Sequence, residues 1–490
     1  MTDRQASLAD FDASVDAYAH QVFTEAQASA GFVVLVKGSE VYAKHYGVRS
    51  DESGLPVNGR TAFDIGSCAK AFTATAAALQ VARGKLRWDE PLCTIVPEFE
   101  LYDDWVSRDL TLRDALSNRL CIQRETPLEF GIEPHVPTPE ILRRARFARR
   151  LYPFRDRFSY SNLGFVAASV AVSRSAGQPY ADFLRQQLLA PLGMSRTVHV
   201  GEWASDDNTA TAYTTLNGQR TAVPEFFFPN YHGAGEVLST SEDLVRWLRF
   251  NLANGGELLD TGLGTLHRPQ VRIDPEQIVL WHSPLEALFP SYGMGWAVTH
   301  LAGRRLVQHS GVIPGTLASV AFLPEDNIGV AVCVASPQFQ AHTVLSYHVL
   351  EAALGLSPRN WRAESVKDVE TKRARAAALL PDPATMSGGP PVDVAGVYRS
   401  NVAGDVSITG SGESYSLEYP DCTIWRQHLQ RRSGNLFDGM FTEAAGLAFS
   451  ADPMAVWFSA EGTRPVALHH PFFGSAHKVD PTGGSPAPPC

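Results

Sequence analysis

Two blocks of strand-type sequence, at 30–48 and 291–335, enclose a long helix-rich middle, and this order constrains the fold more than any other feature. GFVVLVKGSEVYAKHYGV reads as two strands around a Lys-Gly-Ser turn, and YGMGWAVTHL, RRLVQHSG, TLASVAFLP and IGVAVCVAS carry the later strand signals. Between them TLRDALSN, PEILRRARFA, LGFVAASVAVSRSA, YADFLRQQLLAPLG and STSEDLVRWLRFNLANGG have helical patterning, the last opened by a capping box from Thr240 to Asp243. A helix over 8–28 precedes the first hairpin, with Leu8, Phe11, Val15, Tyr18 and Val22 on its apolar face, and another over 342–354 follows the last strand. Strands from both ends of the chain must close one sheet by distant pairing. The expectation is an α+β fold: a mixed antiparallel sheet flanked by helices, with a helical subdomain.

Beyond residue 355 the pattern changes. The charged stretch AESVKDVETKRARAAALL followed by PDPATMSGGPP reads as a linker. After it come eight short alternating runs (GVYRS, DVSITG, SYSLEY, TIWRQHL, NLFDGMF, GLAFS, AVWFS, PVALHH), the signature of a small antiparallel barrel. The expected division is a main domain over 1–355, a linker over 356–385, a barrel over 386–480 and a flexible tail over 481–490.

A formal charge of −10 disfavours a phosphate backbone as partner, so no nucleic acid is expected. The start, MTDRQASLADFDASVDAYAHQVF, lacks a basic segment followed by an apolar run, and no stretch reaches 18 uninterrupted apolar residues; a cytoplasmic protein with no membrane association is expected. Cys68, Cys93, Cys121, Cys333, Cys422 and Cys490 are irregularly spaced and contain no C-x-x-C pair, which predicts reduced thiols. With no H-E-x-x-H and no spaced His/Asp cluster, no metal and no cofactor is expected.

The chemistry concentrates in three places. In FDIGSCAKAF, Ser67 and Lys70 stand at i and i+3 on the first turn of an Ala-rich helix over 67–83 that stops at Gly84, so both side chains share a face. A serine hydroxyl needs a base to become a nucleophile, and a lysine supplies one when burial favours its neutral form. In RFSYSNLGFVAAS, Tyr160 and Asn162 precede an apolar helix; the tyrosine is a candidate proton relay and the Asn amide a partner for Lys70 or a substrate carbonyl. In LVQHSGVIPG, His309 and Ser310 lie on a strand that runs into Gly311, where a ligand can approach the backbone. A second S-x-x-K, Ser475 to Lys478, is read as a chance occurrence in the tail.

In this order and spacing, the three motifs resemble the class C β-lactamase, DD-peptidase and esterase family. TLRDALS, LLAPLGMSRT, GEVLSTSEDLVRW, YGMGW and FLPEDNIGVAV also look like family segments, so that the resemblance covers roughly residues 10–355. It implies Ser67 as the nucleophile, Lys70 as its base, Tyr160 sharing the acid/base work and Asn162 orienting substrate. His309 falls where β-lactamases carry a lysine, Ser310 and Gly311 line the substrate strand, and the backbone N–H groups of Ser67 and Val312 form the oxyanion hole. Lysine is absent between 85 and 367, so the usual K-T-G cannot be made and esterases, peptidases or transacylases are favoured over antibiotic-destroying enzymes. Two departures, LSNRLCIQRE and Glu236 at a position usually held by glycine, put substrate identity in question. The barrel resembles lipocalin-like modules attached to some members, with Arg426, Arg431, Arg432 and Arg464 as candidate partners for a substrate carboxylate.

The resulting expectation is a serine hydrolase or transacylase acting on a small-molecule or peptide acyl substrate. Its alternatives are a peptide cyclase taking a carrier-bound donor, and a non-catalytic binding or scaffold protein that keeps the fold.

Overall fold

The computed structural model describes residues 8–123, 136–203, 206, 208–224, 231–274, 289–336, 340–379, 390–402, 404–419, 422–443, 454–470 and 474–479. Eight strands form the main sheet in the order Glu40–Gly47, Ala30–Lys37, Ile328–Ala335, Thr316–Leu323, Arg304–Ile313, Ala297–Leu301, Ser291–Tyr292, Val271–Arg272. Every pairing is antiparallel, and the register Ala30↔Ala335 to Lys37↔Ile328 joins the two sequence-distant blocks.

The central strands are apolar along their whole length because both faces are covered. Val33, Leu35, Val330, Val332 and Val334 point to one side, where they pack with Val15, Ala19 and Phe23 of the helix Leu8–Glu25 and with Val344 and Leu345 of Ala341–Ala353. Their alternates Phe32, Val34, Ala331 and Cys333 point to the other side, against Phe72 of the helix Ala69–Ala82 and Trp247 of Ser241–Leu252. The period of two along each strand thus divides one sheet between two cores. Phe72 stacks on Trp247 with ring centroids 4.0 Å apart.

In the helical region, a capping box of Thr111 and Asp114 opens the helix Leu112–Leu116. Asp114 is fully buried and receives Arg119 at 2.5 Å and Arg155 at 2.8 Å. Burial pushes its carboxyl up, but Arg155, Thr111 and Arg119 more than offset this and hold it below the usual range. These ion pairs tie the start of the helical layer to the loop leading to Tyr160.

The charged stretch read as a linker is in part a helix, Trp361–Leu379, anchored by fully buried Trp361 against Tyr347. Strands between Gly396 and Lys478 close into an eight-stranded antiparallel barrel. The expected run GLAFS lies outside the described residues; the eighth strand is instead Gly474–Lys478, so Ser475 and Lys478 belong to the barrel wall rather than to a tail. Arg432 pairs with Asp438, Arg426 with Glu418, and the buried Arg431 donates to the carbonyls of Gly412 and Val392, so these three arginines are engaged within the barrel. Val402, in the turn after the first barrel strand, is buried in the same apolar cluster as Phe72 and Trp247. Among the described residues no helix is long and apolar enough to cross a membrane.

Candidate active site

Ser67 occupies the middle of a 3-10 turn, Gly66–Cys68, that runs directly into the helix Ala69–Ala82. Gly66 takes φ +48°, a left-handed conformation that glycine tolerates, and its N–H donates to Asp64 Oδ1 at 2.7 Å. One turn along, Lys70 is fully buried and brings Nζ to 3.0 Å from Ser67 Oγ. The same nitrogen lies 2.6 Å from Asn162 Oδ1 and 2.6 Å from the Ala234 carbonyl oxygen. The Tyr160 ring centroid is 5.1 Å from Nζ, and Phe165 lies across from it at 5.3 Å. Helical spacing brings Ser67 and Lys70 together, and tertiary packing adds Asn162 and Tyr160.

His309 completes the cluster from the long strand Arg304–Ile313, its ring 6.4 Å from that of Tyr160. Its Nδ1–H donates to the Ser310 carbonyl at 2.7 Å, leaving Nε2 to accept from Tyr292 Oη at 2.9 Å. Burial pulls the imidazole down to about 3, so it is neutral. A neutral ring cannot reproduce the charge that a lysine would bring to this strand.

The strand and the serine turn touch through backbone. A Cβ placed on Gly311 would stand 1.8 Å from the Ile65 carbonyl oxygen and 3.0 Å from Ser67 N, and one on Gly66 would stand 3.0 Å from Val312 N. Two facing glycines therefore allow the backbones carrying the Ser67 and Val312 amides, expected as the oxyanion pair, to approach each other closely. Ser310 is buried beside them. Cys68 is buried with Sγ 3.2 Å from the His309 carbonyl, and burial pushes its thiol up, away from thiolate chemistry.

Three contributors carried no sequence signal of their own. Tyr292 comes from a two-residue strand, and Ala234 acts through its carbonyl. Asn118, at φ +57°, accepts the Ser161 N–H on Oδ1 at 2.9 Å and so fixes the Tyr160–Asn162 segment. Asn118 belongs to the divergent stretch LSNRLCIQRE, of which residues 124–125 lie outside the described residues. Glu236, the other departure, adopts φ +64° and is buried.

A family model described as Beta-lactamase matches residues 15–354, well over half of the sequence. The chain belongs to the beta-lactamase family. Within that family it is 28% identical over 344 residues to a protein named unguisins hydrolase ungD' of Aspergillus campestris (strain IBT 28561), a match covering 66% of this chain and 62% of that one. The chain thus spans less than two thirds of that relative's length. Penicillin-binding protein 4 of Amycolatopsis lactamdurans is 25% identical over 316 residues, covering 62% of this chain and 79% of the relative. Among solved structures, the octameric penicillin-binding protein homologue from Pyrococcus abyssi superposes with a TM-score of 0.63 at 20% identity, over 95% of this chain and 99% of that one. A class C beta-lactamase gives 0.59 at 18% identity, over 72% of this chain and 99% of that one. At these identities the likeness is one of fold.

Proposed function

We propose that this beta-lactamase-family chain is a serine acyl-transfer enzyme that cleaves amide or ester bonds through an acyl-enzyme on Ser67. The observation that carries the reading is the contact set of Lys70 Nζ: Ser67 Oγ at 3.0 Å and two oxygens that only accept, on Asn162 and Ala234. A neutral lysine has two N–H bonds to give to those acceptors, and its lone pair then faces the Ser67 hydroxyl.

In this mechanism Ser67 Oγ bonds to the substrate carbonyl carbon as its proton passes to Lys70 Nζ. The C=O π electrons move to the carbonyl oxygen, which the Ser67 and Val312 amides stabilise. Tyr160, beside Lys70, relays that proton to the departing alcohol or amine as the C–O or C–N bond breaks. Water or an amine then attacks the ester and returns Ser67. Asn162 holds Lys70 in line, and Ser310 and Gly311 present the strand along which the acyl donor lies. Because His309 brings no charge, the acyl donors favoured are esters and amides with a neutral group at this position. The relative named a hydrolase is consistent with this class of reaction.

Intact-mass spectrometry with a panel of peptide esters, amides and thioesters tests the reading. A covalent adduct on Ser67 is expected, with Ser67→Ala abolishing both the adduct and fluorophosphonate labelling. Labelling that persists in Ser67→Ala defeats the assignment, and a folded wild-type chain inert to every probe favours a binding protein. Added amine nucleophiles separate transfer from hydrolysis by the product formed.

A further inference from the structure

The segment that presents the Ala234 carbonyl to Lys70 also carries His232 and Glu236, two members of a second polar cluster that the proposed reaction does not use. His199 Nε2 and His232 Nδ1 are 2.8 Å apart, and Glu236 Oε2 lies 3.3 Å from the first and 3.5 Å from the second. We propose that these three side chains bind one divalent transition-metal ion of the zinc type, with a fourth position left to water. The motif spacings pointed to no metal, because these three residues match no metal-binding pattern.

The geometry supports this reading. Zinc bonds of about 2.0–2.2 Å at tetrahedral angles put ligand atoms about 3.3–3.5 Å apart. The two distances to Glu236 already meet that spacing. Only the imidazole pair, now at hydrogen-bond distance, has to open, by about half an ångström. Two imidazoles and a carboxylate form a ligand set that suits zinc and related ions.

Each ligand is held by a different constraint. His199 pairs with Val237 in a short sheet, and Val200 N–H donates to the Glu236 carbonyl at 2.9 Å, so the backbone fixes His199 beside Glu236. His232 and Glu236 stand at i and i+4 across His-Gly-Ala-Gly-Glu. Glu236 keeps φ +64° where glycine would be free of strain, which indicates that its side chain is needed. His199 and Glu236 are nearly inaccessible while the His232 side chain is 35% exposed, which gives an ion a route from solvent. The His199 Nδ1 contact with Gly201 N–H is long, at 3.3 Å; binding at Nε2 moves the ring proton to Nδ1 and gives up that contact.

The site would brace the catalytic lysine. Between its two ends, the Gly233 carbonyl accepts from Thr73 Oγ1 at 2.6 Å and the Ala234 carbonyl accepts from Lys70 Nζ at 2.6 Å. An ion joining His232 to Glu236 closes the segment that presents these carbonyls.

The test uses the full chain, stripped with a chelator and freed of any affinity tag, titrated with Zn²⁺ by calorimetry and with Co²⁺ by visible absorption. One ion per chain is expected, with a Co²⁺ spectrum of low coordination number. Glu236→Gln and, separately, His232→Ala at the half-exposed position should each weaken binding at least tenfold, whereas the surface control His20→Ala should not. Circular dichroism verifies folding, and His232→Ala carries the decision if Glu236→Gln unfolds. A wild-type chain that takes up no ion, or one whose uptake is unchanged in the folded variants, overturns the site and leaves a hydrogen-bonded His-His-Glu cluster. Since uptake is read without a substrate, this result stands apart from the acyl-transfer assignment.

Discussion

Both ring nitrogens of His309 are engaged, and this decides what the imidazole can do. Nδ1–H is given to the Ser310 carbonyl and Nε2 takes the Tyr292 hydroxyl, both groups being buried. His309 therefore shapes the strand side of the cleft and accepts a proton only if Tyr292 turns away. Tyr292→Phe removes the donor and leaves a buried acceptor unpaired, which costs about 1–3 kcal/mol. Urea or guanidinium unfolding should show a loss of that size, together with slower acylation of Ser67. If stability is unchanged, Tyr292 only fills space and its hydroxyl does not orient the ring. Lys70 is over-determined by comparison, with Asn162 and Ala234 fixing Nζ from two sides of Ser67.

At the level of elements, the cleft depends on the 3-10 turn and the His309 strand approaching without side chains between them. Gly311→Ala drives a Cβ into the Ile65 carbonyl, and the only relief is to move one backbone segment. Overpacking of this kind costs about 1–3 kcal/mol. Here it also displaces the Ser67 and Val312 amides, so burst kinetics with an activated ester should show acylation slowed at least tenfold while the variant remains folded. An unaltered burst would mean that these amides do not serve the reacting carbonyl. The sequence made this element pair legible because S-x-x-K on an Ala-rich helix and H-x-G on a strand each have a local spacing with a physical reason behind it. The roles of Tyr292 and the Ala234 carbonyl were not legible: YGMGW marks a strand without singling out its tyrosine, and a carbonyl has no side-chain identity. His199, His232 and Glu236 were missed because the fold, not a motif, brings 199 beside 232 and 236. The sequence pattern of Trp361–Leu379 reads as a linker because its charged residues hide the apolar anchor Trp361, which packs on Tyr347.

Across the whole molecule, three buried histidines tie stability to pH. His267 and His309 in the beta-lactamase-family region and His470 in the barrel are each pulled down to about 3, with burial the leading cause. An unfolded histidine titrates near ~6.5. Since the folded value lies below the unfolded one, the unfolded chain binds the extra proton between these limits, so stability is full above about pH 6.5 and falls as pH drops toward 3. Each histidine then removes about 2 kcal/mol between pH 7 and pH 5. The carboxyls of Asp114 and Glu236, held below their ordinary values, have the same sign but act at lower pH, once their own protonation begins. Denaturant midpoints at pH 7 and pH 5 should therefore separate clearly for both the family region and the barrel, and replacing His470 with Gln should flatten the pH dependence of the barrel transition alone. Equal midpoints at the two pH values would mean that these rings are protonated or solvated in the folded chain. The neutral His309 on which the proposed acyl-donor preference rests would then be lost as well.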